Sequence, residues 1–201
     1  MLYSKYLKEA VDMIDVLPGT TVEADLRRPD AADMLLSPLF LTGGLMLSQV
    51  SQLTGLEPHV IQNWVKRGFV SPPERKKYSR RQFCRILFIN MLKDVLQLEK
   101  ICQLLSYVNG ALADESDDLV DDSYLYTCLV RLLGRLAEMP MPEDEELVRW
   151  CDEVLFDYGE PCPGARRRVS RTLRVLLTAY ESARLKREAE GLIQTLEEPG
   201  D

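Results

Sequence analysis

The sequence has a single histidine, His59, no Cys-x-x-Cys pair, no Gly-rich phosphate loop and no apolar run close to the length of a bilayer. Each absence removes a class of function. Structural zinc sites draw on closely spaced cysteine and histidine pairs. Here Cys84, Cys102, Cys128, Cys151 and Cys162 are an odd number, spaced 18, 26, 23 and 11 residues apart. We therefore expect reduced, mostly buried thiols and no metal. The H-E-x-x-H, G-x-S-x-G and zinc-deaminase patterns are also missing, and one histidine gives little scope for a nucleophile–base pair. No enzymatic activity and no cofactor are expected. The N-terminal stretch carries Lys5, Lys8, Glu9 and Asp12 in place of a signal peptide's apolar core, so no membrane partner and a cytoplasmic location are expected.

Net basic charge is lacking too: the chain carries −7. Its distribution is uneven. Residues 58–93 hold nine cations, Lys66, Arg67, Arg75, Lys76, Lys77, Arg80, Arg81, Arg85 and Lys93, against the single acid Glu74. That segment is +8 and the rest of the chain is −15. The local charge, not the total, determines where a polyanion is drawn.

Apolar residues recur at helical spacing along the chain. Tyr6, Leu7, Ala10, Val11, Ile14 and Leu17 predict a helix over 3–17, stopped by Pro18-Gly19. Residues 18–44 read as irregular with one short helix around 30–37. Leu47, Val50 and Leu53 mark a short helix with Ser48 as its N-cap. Thr54-Gly55 ends it, and Pro58 opens a helix running to about Arg67. A loop broken by Pro72-Pro73 follows, then helices over 79–93 and about 98–108. The acidic run 114–122 lacks a calcium loop's ligand spacing. It reads as a solvated linker that helps to cap the next helix. Three more helices are expected, over 123–138, 143–158 and 165–196. The fold class is all-α, with a small hairpin allowed at the wing loop. The expected organisation is a packing segment over 1–44, a DNA-binding domain over 45–113 and a C-terminal helical domain over 114–201.

In the helix from Pro58, Val60, Ile61, Trp64 and Val65 share one stripe, and His59, Gln62, Asn63, Lys66 and Arg67 share the opposite face. Amides can pair with adenine in the major groove, and cations with guanine or phosphates. An ordinary solvated helix face would look the same in isolation. The neighbouring cations Arg75, Lys76, Lys77, Arg80 and Arg81, together with Tyr78, favour a DNA-binding surface. The C-terminal cations Arg167, Arg171 and Arg174 share a helix face and are expected to pair with the acidic stretch at Glu143–Glu146.

The run from Leu47 to Leu105 resembles the MerR-like winged helix-turn-helix. Gly55, Pro58, Ile61, Trp64, Gly68, Tyr78, Leu98 and Ile101 stand where that pattern has them. The longer stretch from about Asp25 to Leu133 is similar to the YkrK-like family of uncharacterised bacterial proteins. The resemblance implies that Gln62 stands where a DNA-contacting arginine is usual, and Asn63 where tyrosine is usual. It also implies that Lys76 and Lys77 are the basic pair before the wing tyrosine. The wing is about five residues shorter than the pattern. Cys162-Pro163-Gly164 resembles a regulator's metal loop but has no second cysteine nearby. The expected function is transcription regulation by a homodimer on double-stranded DNA, with any small-molecule effector unknown. The alternative is a protein-interaction adaptor built on the same fold.

Overall fold

A computed structural model describes residues 16–110, 112, 114 and 116–197. The described residues are mostly helical: α1 (Ala31–Phe40), α2 (Leu47–Thr54), α3 (Pro58–Lys66), α4 (Arg80–Leu92), α5 (Leu98–Asn109), α6 (Asp122–Glu138), α7 (Asp144–Glu153) and α8 (Ala165–Glu197). The one sheet among them is a two-stranded antiparallel ladder of β1 (Leu45–Met46) and β2 (Lys77–Tyr78). The helix expected over 3–17 lies outside the described residues except for its last two positions. These are not helical: Val16 bridges Glu23 across a tight turn, and Leu17 is buried.

At the centre stands α4. Phe83, Cys84, Ile86, Leu87, Phe88, Ile89, Met91 and Leu92 are all buried, so the helix is apolar nearly all round. It has neighbours on every side, with α2, α5, α6 and α8 packed against it. Its N-terminus is fixed by a reciprocal cap, in which Gln82 N–H donates to Ser79 Oγ and Ser79 N–H donates to Gln82 Oε1. The cap expected at Ser48 is displaced by two residues. Helix α2 begins at Leu47, and the Met46 N–H donates to Gln49 Oε1 at 2.8 Å. This exchange ends β1 and starts α2 in a single step.

Buried side chains on both sides of the acidic run form one continuous apolar cluster, from Leu17 through α4 and α6 to Ala179 in α8. The chain before α1 is tied to it: Tyr126 Oη donates to the Pro18 carbonyl at 2.6 Å. At Gly134 a Cβ would stand 2.1 Å from the Leu26 carbonyl, so that crossing tolerates only glycine.

The acidic run reads differently in three dimensions. Asp121 does cap α6, accepting the Ser123 N–H at 2.7 Å. Asp122, however, is 1% exposed and lies within the core. Its Oδ2 accepts from Arg85 Nη1 at 3.3 Å, and its Oδ1 accepts from Asn109 Nδ2 at 2.6 Å. Arg85, also buried, donates from Nε to the Phe69 carbonyl at 2.9 Å. Burial pushes the Asp122 carboxyl up, against the pull of the Arg85 guanidinium.

Removing one member of a buried pair strands the other. Asp122→Ala should therefore cost about 3–5 kcal/mol of stability in urea unfolding. Arg85→Met combined with Asp122→Leu should recover most of that loss, because neither charge is then left buried alone. A double variant no more stable than the single one would show that the pair's partners, Phe69 and Asn109, carry the effect instead.

Candidate nucleic-acid interface

Helices α2 and α3 are joined by residues 55–57, with Gly55 at φ +68° in the left-handed conformation that closes α2. Ser51 Oγ donates to the Leu56 carbonyl at 2.6 Å and pins the connection. Asn90 in α4 braces the same corner, donating from Nδ2 to the carbonyls of Gly19 (2.9 Å) and Thr54 (3.0 Å). Pro58 sits in the first turn of α3, where the missing N–H costs nothing. Ile61 and Trp64 are buried at 0% and 4% exposure, with Val60 and Val65 partly covered, so α3 docks by the stripe its sequence marks.

The opposite face is bare. His59, Gln62, Asn63, Lys66 and Arg67 are all exposed. Nothing else in the described chain covers them, since α3 packs chiefly on α2. Arg67 differs from the other four. Its Nη2 donates to Glu99 Oε1 at 2.7 Å in the first turn of α5, and its guanidinium lies 4.5 Å from the Phe69 ring centroid. The side chain is thus held at the end of α3 by its own protein.

The segment after α3 folds into a hairpin tip. Lys77 N–H donates to the Glu74 carbonyl at 2.8 Å, and β2 then pairs with β1 in the register Leu45 to Tyr78 and Met46 to Lys77. Gln82 Nε2 laces the incoming arm, donating to the carbonyls of Ser71 and Pro72. The two central residues of the turn, Arg75 and Lys76, have φ of +47° and +64°. This is the handedness of a type I′ turn, which normally takes Asn-Gly. Two long cationic side chains there are strained, and strain of this kind concentrates at functional sites. Both are exposed and have no bonded partner among the described residues. Lys77 follows, with Nζ donating to the Thr42 carbonyl at 2.8 Å.

Three residues of the expected contact surface stand elsewhere. Tyr78 is 3% exposed and turns its ring into the core, where burial pushes its phenol up. Arg80 is drawn to α1, bonding Asp33 and Ser37 Oγ. Arg81 pairs with Asp118 of the acidic run at 2.5 Å. With Arg67–Glu99 and Arg85–Asp122, four of the nine cations in residues 58–93 meet carboxylates from other parts of the chain. Lys66, Arg75, Lys76, Lys77 and Lys93 retain no acidic partner among the described residues, and Lys93 donates to Asn90 Oδ1. No cluster of three or more metal-ligating side chains occurs among those residues either.

Comparison with known proteins adds a family of unassigned role. Residues 36–128 match a family described as a domain of unknown function (DUF1836). An uncharacterised protein of Bacillus subtilis (strain 168), YkrK, is 31% identical over 104 residues, which is 50% of this chain. The match covers 45% of YkrK, so the chain spans less than half the length of that relative. No solved structure matches. The DUF1836 match takes in the α2–α3 pair, the hairpin tip and the buried Arg85–Asp122 pair, and it ends inside α6, before α7 and α8.

Glycine adopts positive φ without the Cβ penalty, so Lys76→Gly should raise stability by about 1 kcal/mol. Chemical denaturation of the two proteins measures this directly. A variant less stable than the parent would mean that the turn is not strained at Lys76.

Proposed function

We propose that this chain, part of which resembles a family of unassigned role, is a double-stranded DNA-binding protein acting as a transcription regulator. The observation that carries this reading is the uncovered polar face of α3. It displays an imidazole, two amides and a cation, none of which is committed to the protein itself. In this reading α2 and α3 form a MerR-like helix-turn-helix, α3 lies in the major groove and the hairpin tip acts as the wing. Gln62 and Asn63 read base edges, and Lys66, Arg75, Lys76 and Lys77 meet phosphates. The strained tip fits this role, because it holds Arg75 and Lys76 outward at a cost in stability. Arg67, Arg80 and Arg81 position the surrounding elements, and Tyr78 anchors the wing from inside.

A homodimer completes the proposal. Beyond Ala183 the described residues of α8 are exposed. Leu185, Ala189, Leu192 and Leu196 recur at spacings of 4, 3 and 4, the seam of a helix pair. Leu185, Leu192 and Leu196 are 55%, 57% and 82% exposed. Charge along this stretch runs from Arg184, Lys186 and Arg187 to Glu188, Glu190 and Glu197. An antiparallel second copy would set the basic part of one helix beside the acidic part of the other. Two-fold symmetry of the protein then calls for palindromic sites.

One observation favours the adaptor reading. Internal pairing of four cations leaves a smaller cationic surface than residues 58–93 carry in sequence, so salt dependence separates the two. With eight phosphates engaged per dimer, log K against log salt should fall with a slope of roughly −7, and alanine at Arg75, Lys76 and Lys77 should flatten it by about 5. Asn63→Ala should cost about 1–3 kcal/mol on a selected site and little on random duplex. If selected genomic fragments show no affinity above random DNA and no salt slope, the adaptor reading prevails. Sedimentation of Leu192→Glu tests the dimer: the parent should run as a dimer and the variant as a monomer, and a monomeric parent would remove the two-fold scheme.

A further inference from the structure

The C-terminal arginines leave a residue that the DNA reading does not use. Arg174 reaches the acidic helix as its spacing suggests, with Nη2 on Asp144 Oδ1 at 2.5 Å. Arg166 donates from Nη2 to the Asp152 carbonyl at 2.9 Å, and its N–H donates to Glu160 Oε1. Arg167 and Arg171 are exposed and bond to nothing among the described residues. All four line a single open cleft of about 730 Å³ between α7 and the first turns of α8.

Ser170 lines the same cleft. It is 7% exposed, and its hydroxyl has no hydrogen-bond partner among the described residues. That leaves the hydroxyl free to donate to, or accept from, whatever occupies the open cleft. Its neighbours along the helix differ: Thr172 and Thr178 donate to carbonyls one turn back. Charge points the same way. Four guanidiniums face two carboxylates on the cleft wall, Asp152 and Glu160; Asp144 offsets Arg174, and Glu160 is already engaged by the Arg166 N–H, which leaves Arg167 and Arg171 unopposed. The cleft is therefore positive within a chain that is strongly acidic outside residues 58–93.

We propose that this cleft binds a phosphorylated small molecule, its phosphate seated on Arg167, Arg171 and the Ser170 hydroxyl. Guanidinium forks match phosphate oxygens two at a time, and the first turn of α8 adds the partial positive charge of a helix N-terminus. The cleft volume exceeds a lone phosphate and lies in the range of small-molecule sites. Arg166 and Arg174, held by their own bonds to α7, form fixed walls. This site does not depend on the DNA reading, and either can fail alone.

Calorimetric titration of the full chain with inorganic pyrophosphate, and separately with ADP, tests the proposal. Pyrophosphate should bind saturably, and Arg171→Ala or Arg167→Ala should weaken it at least about tenfold, with Arg171→Lys intermediate. Ser170→Ala should weaken it about threefold, with helix content unchanged by circular dichroism. Tighter binding of ADP identifies a phosphate ester as the source, and equal binding a free polyphosphate; both support the site. No saturable heat with either probe to about 10 mM would overturn it, as would binding indifferent to the arginine variants. A nucleic-acid surface, not a small-molecule site, would appear as duplex DNA displacing pyrophosphate with the same arginine dependence.

Discussion

The geometry around the exposed face of α3 rests on one buried charge pair. Arg85 reaches back to the carbonyl of Phe69, just after α3, and forward to Asp122 at the start of α6, which also holds Asn109 at the end of α5. Four segments far apart in sequence converge on two side chains with almost no access to water. A pair like this adds little net stability compared with well-packed apolar residues, but it penalises any arrangement that leaves either charge alone. Its physical role is to make one docking of α3, α5 and α6 around α4 much better than its neighbours. The loop from Phe69 to the hairpin tip leaves α3 at the point where Arg85 holds it.

The same economy governs the surface. Residues 58–93 are rich in cations, and unrelieved repulsion among them would oppose folding of the α2–α4 region. The chain answers with acids from elsewhere, Asp33, Glu99, Asp118 and Asp122, each placed against one arginine. Every one of the paired cations is an arginine, whose planar fork suits bidentate, partly buried contacts. Of the five with no acidic partner among the described residues, Lys66, Arg75, Lys76, Lys77 and Lys93, four are lysines, compact charges that stay hydrated. The net acidity of the protein and the local basicity of α3 and its hairpin are two sides of one balance.

The helices were legible because a period of 3.6 residues survives in sequence wherever one face is buried; each expected helix among the described residues is present, though the one expected over 143–158 stops at Glu153 and gives way to a turn. Asn109-Gly110 and Pro58 mark their boundaries for local reasons. The rest required knowledge of distance. Two-residue strands hold no period, so the Leu45–Tyr78 pairing cannot be read from either end. Arg80 and Asp33 lie 47 residues apart, and Arg67 and Glu99 lie 32 apart, so nothing local announces that these cations are already satisfied. Tyr78 looked like part of a basic wing because its neighbours are basic, yet a strand alternates sides and turns it inward. The acidic run misled for a similar reason. Composition suits a solvated linker, but burial of Asp122 follows from a single arginine elsewhere in the chain.

Helix α8 carries the last connection. Its 33 residues extend roughly 50 Å. The first half packs on α4, α5, α6 and α7 through Val169, Leu173, Leu176 and Leu177; further on, Ala183 is still buried and Lys186 donates to the Asp94 carbonyl, while the apolar row from Leu185 is exposed. The arginine cleft lies at one end of this rod, the apolar row at the other, and the core around α4 between them. A ligand in the cleft could alter the α3 surface only by favouring one packing of α8 on α4 and α5 over another. Closely packed interiors shift between discrete arrangements instead of deforming smoothly, so such coupling would act through the whole helix. The buried Arg85–Asp122 pair sits where α4 meets α5 and α6, the packing such a shift would have to disturb. Its intolerance of half-made contacts would confine any such shift to arrangements that keep both charges paired.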